Sequence, residues 1–188
     1  EQAARAAAPA KFDATAEILR HVATRRVGLN DWPEWCGSPH RNNAPSGENI
    51  PIKWDLKTGE NVLWKVEHKR GNMTTPVIAN GKVYVGGNNQ AYADGRSPKV
   101  EDLGCLRAHD AATGELLWQA THPKLARGKD GAFRDWPGIG ICSPPTVEGD
   151  RLWYVSNRGD VVCLDTEGFT DGENDGAIVD EVKRDRTD

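Results

Sequence analysis

Five histidines, four cysteines and 28 carboxylates are the side chains of this 188-residue sequence with obvious chemical potential, and their spacing limits what they could do. His21, His40, His68, His109 and His122 never stand four apart around a Glu, the arrangement of a helical zinc hydrolase site. His109 falls on an alternating strand pattern and is expected to point to solvent. Cys36, Cys105, Cys142 and Cys163 are each at least 20 residues from the next, which fits neither zinc-ligand nor haem-attachment spacing. An even number of cysteines allows two disulfides in an oxidising compartment, and buried strand thiols are equally compatible with the pattern. The Gly-rich run "GGNNQ", residues 86–90, lacks the Lys and the following helix of a phosphate loop. No set of Asp and Glu is placed by a motif as metal ligands. The sequence therefore assigns no catalytic residue, no metal site and no cofactor of its own.

Composition narrows the partners. The net charge is −4, distributed as +2 over residues 1–30, zero over 31–164 and −6 over 165–188. A neutral middle without a basic stripe argues against nucleic acid. No run of about 18 apolar residues is present, so no transmembrane segment is expected. Seven Trp stand beside three Phe and one Met, an imbalance that asks for a structural use of Trp.

The elements that would position these residues follow from pattern. Residues 1–30 read as an Ala-rich lead-in and a short helix, with Phe12, Ala16, Leu19, Val22 and Val27 near helical spacing, Asp13 at its start and Gly28 as its stop. From there the period changes. The runs at 62–66, 82–86, 116–120, 151–155 and 160–164 are short and rich in β-branched and aromatic residues, and read as strands. Asn80-Gly81, Gly149-Asp150 and Arg158-Gly159-Asp160 supply tight turns between them. Insertions at 87–103 and 121–142 are candidate partner loops or elaborate connections, with Arg134, Asp135 and Trp136 holding down the second.

Repetition sets the architecture. "TPVIANGKVYVG", residues 75–86, is echoed by "PPTVEGDRLWYVS", residues 144–156, and "DLKTGENVLW", residues 55–64, by "DAATGELLW", residues 110–118. Trp64 and Trp118 are 54 residues apart, a period that suits blades of four strands each.

Ala108, Asp110, Thr113, Gly114 and Trp118 resemble the tryptophan-docking motif of the pyrroloquinoline-quinone (PQQ) repeat β-propellers. Asp55, Thr58, Gly59 and Trp64 form a second copy with one extra residue before the Trp. Cys163, Asp165 and Gly168 form a third that lacks one spacer and has no following Trp. The motif has a physical basis: Gly permits the turn, Asp accepts backbone hydrogens across it, and the indole fills the wedge between two sheets. "DWPEWCGSPHRN", residues 31–42, resembles the segment that opens such propellers, with Trp32 and Trp35 as anchors on a sheet face.

The resemblance implies an all-β fold, a partial β-propeller of four-stranded antiparallel blades with a short N-terminal helix. Its blades would occupy 31–168 as an incomplete ring, with 169–188 an acidic loop or truncated connection, and the strand of Trp64 would complete a blade whose other strands lie beyond Asp188. The function implied is a non-catalytic binding or scaffolding module, periplasmic or secreted, whose partners are proteins or further blades. The alternative is part of a PQQ-dependent alcohol or sugar dehydrogenase, which would bring PQQ with calcium. A sensor domain attached to a membrane kinase is a third reading.

Overall fold

The computed structural model describes residues 12–39, 41, 43–45, 48–68, 74–89 and 102–168. The Ala-rich lead-in, His40, most of the first insertion and the acidic residues 169–188 lie outside that set.

Among the described residues the chain is mostly β. One helix, α1 (Ala14–Thr24), precedes strands β1 (Val77–Ala79), β2 (Lys82–Asn88), β3 (Gly104–Asp110), β4 (Leu116–His122), β5 (Thr146–Glu148), β6 (Arg151–Val155) and β7 (Val161–Asp165). They form two antiparallel meanders, a four-stranded sheet β1-β2-β3-β4 and a three-stranded sheet β5-β6-β7, with no closed barrel. This is the architecture of a partial propeller. The turns are those read from the sequence: Asn80 and Gly81 take φ of 54° and 70° between β1 and β2, and Gly149 takes 63° between β5 and β6. A positive φ at the first turn position, alone or in a pair, matches the twist of a two-residue hairpin.

The core lies between the sheets. Alternation sends Tyr84, Leu106, Ala108, Trp118 and Ala120 from the first sheet toward Val147, Leu152 and Tyr154 from the second, and all are buried. Each large side chain so buried contributes about 1.5–3 kcal/mol through removal of apolar surface from water. Ile141, fully buried, enters this core from the connection after β4, where its N–H donates to Gly87 O at 2.9 Å. Gly140 passes so close that an added Cβ would lie 1.7 Å from Gly87 O. Gly86 of the 86–90 run is likewise closely approached, since an added Cβ there would lie 2.5 Å from Thr74 Cγ2 and 3.0 Å from Ile141 Cγ2.

Three expectations need correction. The run 62–66 carries no strand pairing; no neighbouring ladder is offered to it among the described residues, and side-chain contacts hold it in place. The helix ends at Thr24, not near Gly28, and buries none of its residues, leaving Ile18 62% and Leu19 64% exposed. Its attachment is polar: the Arg25 guanidinium, just past its end, donates to Val147 O at 2.6 Å and pairs with Glu34 at 3.1 Å and Glu148 at 3.3 Å. Trp32 and Trp35 differ in role. Trp32 forms an isolated bridge with Ile78 on the outer side of β1, while Trp35 is 54% exposed beneath the Arg41 guanidinium.

Candidate functional site

The repeated Asp-Thr-Gly turns are built from the same bonds. At the central copy, Asp110 Oδ1 accepts from Ala112 N at 2.9 Å, Thr113 N at 2.8 Å and Thr113 Oγ1 at 3.0 Å. Gly114 N donates to Asp110 O at 2.8 Å, and Glu115 N donates to Thr113 Oγ1 at 3.2 Å. At the first copy, Asp55 Oδ1 accepts from Lys57 N and Thr58 N, Gly59 N donates to Asp55 O at 2.9 Å, and Glu60 N donates to Thr58 Oγ1 at 3.3 Å. Backbone donors aimed at each carboxylate hold Asp110 and Asp55 below the usual aspartate range, led by Thr113 N–H and Lys57 N–H respectively. The extra residue of the first copy is taken up at Asn61, which adopts φ 54° and donates from its amide to Lys53 O. The third copy, one residue shorter, closes differently: Gly168 N donates to Asp165 Oδ1 at 2.6 Å.

Each indole meets the glycine of the following turn. A Cβ on Gly114 would lie 2.7 Å from Trp64 Cδ2, and one on Gly168 would lie 2.6 Å from Trp118 Cε2. Trp64 Nε1 also donates to Ala111 O at 2.9 Å. Trp118 is 2% exposed, whereas Trp64 is only partly buried. The glycines are required twice over, by φ of 78° and 62° and by the ring lying where a side chain would project.

Behind the first sheet lies a polar layer that the sequence did not announce. Arg107, His109, Gln119 and Thr121 are all buried on the face turned away from the second sheet. His109 was expected in solvent; instead it is 2% exposed, its Nδ1 stands 3.0 Å from Gly114 O, and its ring meets His68 edge-on at 5.7 Å. Arg107 Nη1 lies 3.2 Å from His68 Nδ1, and its Nη2 donates to Asn88 O. Burial, then the Arg107 charge and then His109, push the His68 imidazole down to about 4; burial likewise lowers His109. His68 and His122 both stand four residues after a repeat Trp, and His122 Nε2 lies 2.8 Å from Tyr154 Oη. That matched spacing was the available signal for these histidines.

The connection after β4 is held at its base. Lys124 Nζ donates to Asp135 Oδ1 at 2.5 Å and to Trp136 O at 2.9 Å, and also to Ile139 O. Asn157 Nδ2 donates to Asp135 Oδ2 at 2.6 Å, and Gly138 N donates to Asp102. Of the three residues expected to hold the loop down, Asp135 does so; Arg134 pairs with Asp130 at the surface and Trp136 is 63% exposed.

The calcium that accompanies a quinone in the alternative reading needs clustered oxygen ligands. Among the described residues no group of three or more His, Cys, Asp or Glu is gathered closely enough to hold a metal ion. None of the described helices is long and apolar enough to cross a membrane. No disulfide joins Cys36, Cys142 and Cys163, and Cys105 is buried on β3.

A four-stranded sheet followed by a three-stranded one, Trp-on-Gly contacts at the second and third Asp turns and a shared core between the sheets make up a partial all-β, propeller-like arrangement. Residues 103–170 match the family described as outer membrane protein assembly factor BamB, a family of PQQ-like repeats, in agreement with the resemblance read from Ala108 to Trp118. No curated protein matches the chain.

Proposed function

We propose that this chain is a non-catalytic β-propeller repeat module that binds or scaffolds protein partners outside the cytoplasm. The observation that carries the proposal is the pair of Trp-on-Gly contacts, Trp64 on Gly114 and Trp118 on Gly168. We read them as tryptophan docking, in which the last segment of one blade locks onto the turn of the next and the stack becomes a rigid platform. The description of the matching family as an assembly factor supports a binding role, and its outer-membrane context supports a location outside the cytoplasm.

The second sheet supports further blades. Its outward residues Trp153, Val155 and Val161 are 38%, 39% and 74% exposed, whereas Tyr84 and Leu106, which hold corresponding places on the first sheet, are fully buried by its neighbour. A further blade of the same kind would cover that face.

The competing reading, a PQQ-dependent alcohol or sugar dehydrogenase, is tested by supplying PQQ and calcium to the protein and following dye reduction with a panel of alcohols and aldoses. The module reading expects no reduction above the protein-free control. Turnover would sink it.

A further inference from the structure

The loop between β4 and β5 ends in a stack. Phe133 and Trp136 lie nearly parallel, 24° apart with ring centres at 5.3 Å, and the Arg127 guanidinium sits 3.8 Å from the centre of Phe133. Trp136 is 63% exposed and Arg127 is exposed. What is distinctive is the combination: an exposed indole stacked on Phe133, whose ring also carries the Arg127 guanidinium, forms one amphipathic patch. The scaffold beneath is fixed: Lys124 and Asn157 both donate to Asp135, and Lys124 also donates to the Trp136 and Ile139 carbonyls. The stack is thus presented on a braced base, which reduces the ordering cost that a loop pays on binding.

Charge says what the stack would meet. Residues 123–137 hold four basic and two acidic side chains in a chain whose net charge is −4. Lys124 is spent on Asp135 and Arg134 on Asp130, while Arg127 and Lys129 face no carboxylate within ion-pair distance among the described residues. Trp and Arg are also the residues that most often dominate protein interfaces. Two available cations are too few for a nucleic-acid track, but they suit a short acidic segment.

We infer that Arg127, Phe133 and Trp136 form a docking site for an acidic protein segment carrying an aromatic or apolar side chain, the carboxylates meeting Arg127 and Lys129 and the apolar group covering Trp136. This names the partner chemistry of the binding module proposed above and rests on that reading.

The test is fluorescence anisotropy of a labelled peptide of alternating Glu and Phe, titrated with the whole chain, beside a Lys and Phe peptide and a labelled uncharged hexasaccharide. Binding of the Glu peptide is expected, weakening as salt rises and falling at least tenfold in Trp136→Ala and in Arg127→Ala. Both variants should keep the wild-type melting temperature, because both side chains are exposed. Undiminished binding by either variant, no binding of the Glu peptide at millimolar protein, or preferential binding of the Lys peptide or the hexasaccharide would overturn the inference. The dye-reduction result is independent of all these arms, so a failed peptide site and a failed module reading are told apart.

Discussion

Trp118 lies on Gly168 as Trp64 lies on Gly114, with 50 residues between the partners in each pair. Equal separations in two contacts of the same kind mean that the chain advances by one unit and repeats its packing. In a repeat array nearest-neighbour interfaces add to the stability of each unit, and on the proposed reading these two contacts are such interfaces.

The glycines separate two costs. Gly59, at φ 81°, has nothing within 4 Å of an added Cβ, whereas at Gly114 the same atom would strike Trp64. Gly59→Ala should cost only the left-handed strain, about 1–2 kcal/mol. Gly114→Ala should cost more, because the indole must also move. Chemical denaturation of the two variants checks the order, and equal losses would mean that the Trp64 contact contributes nothing.

The two indoles differ in burial. Trp118→Ala opens a cavity in the shared core and should cost ~3–5 kcal/mol. Trp64→Ala removes a partly buried ring and its bond to Ala111 O, for an expected ~1–2 kcal/mol. Denaturation midpoints for the pair give the comparison, and a Trp64 loss as large as that of Trp118 would show the first indole to be more deeply packed than the geometry has it.

The parts of the fold legible in the sequence were those fixed by local chemistry. Asn80-Gly81 and Gly149-Asp150 announced their hairpins because positive φ selects those residues, and Asp110 and Gly114 announced their turn for the same reason. The strand pattern at 62–66 misled, because apolar alternation reports a buried face and not the presence of a ladder to pair with. His109 misled from the other direction: alternation located its face correctly, but the rule that polar means solvated fails when a facing segment covers it. His68 supplies part of that cover from 41 residues upstream, and nothing local to His109 encodes it. Lys124, Asp135 and Asn157 were hidden likewise, since their network joins one loop to the turn between β6 and β7.

Thiol accessibility gives a third prediction. Cys142 and Cys163 are exposed and Cys105 is fully buried on β3. Under native conditions iodoacetamide should label Cys142 and Cys163 first, with Cys105 labelled only after unfolding, as read by peptide mass spectrometry over time. Early modification of Cys105 would place β3 nearer the surface than its register with β2 and β4 allows.

The last prediction concerns acid. His68 has an ordinary value of 6.5, lowered to about 4 by burial and by the facing Arg107, and His109 is lowered in the same direction. Between those values the unfolded chain binds protons that the folded chain refuses, so stability rises with pH across that window. Above about 6.5 both states hold the imidazole neutral and the penalty vanishes; as pH falls toward about 4 it grows, and below that it is constant. Carboxylates also begin to titrate at the lower end, so the informative quantity is the difference between wild type and His68→Gln. The variant has no imidazole to charge at that position, and its denaturation midpoint should fall less steeply between pH 6.5 and 4 than that of the wild type. Parallel slopes would mean that His68 titrates as a solvated histidine, and that the polar layer behind the first sheet is open to water.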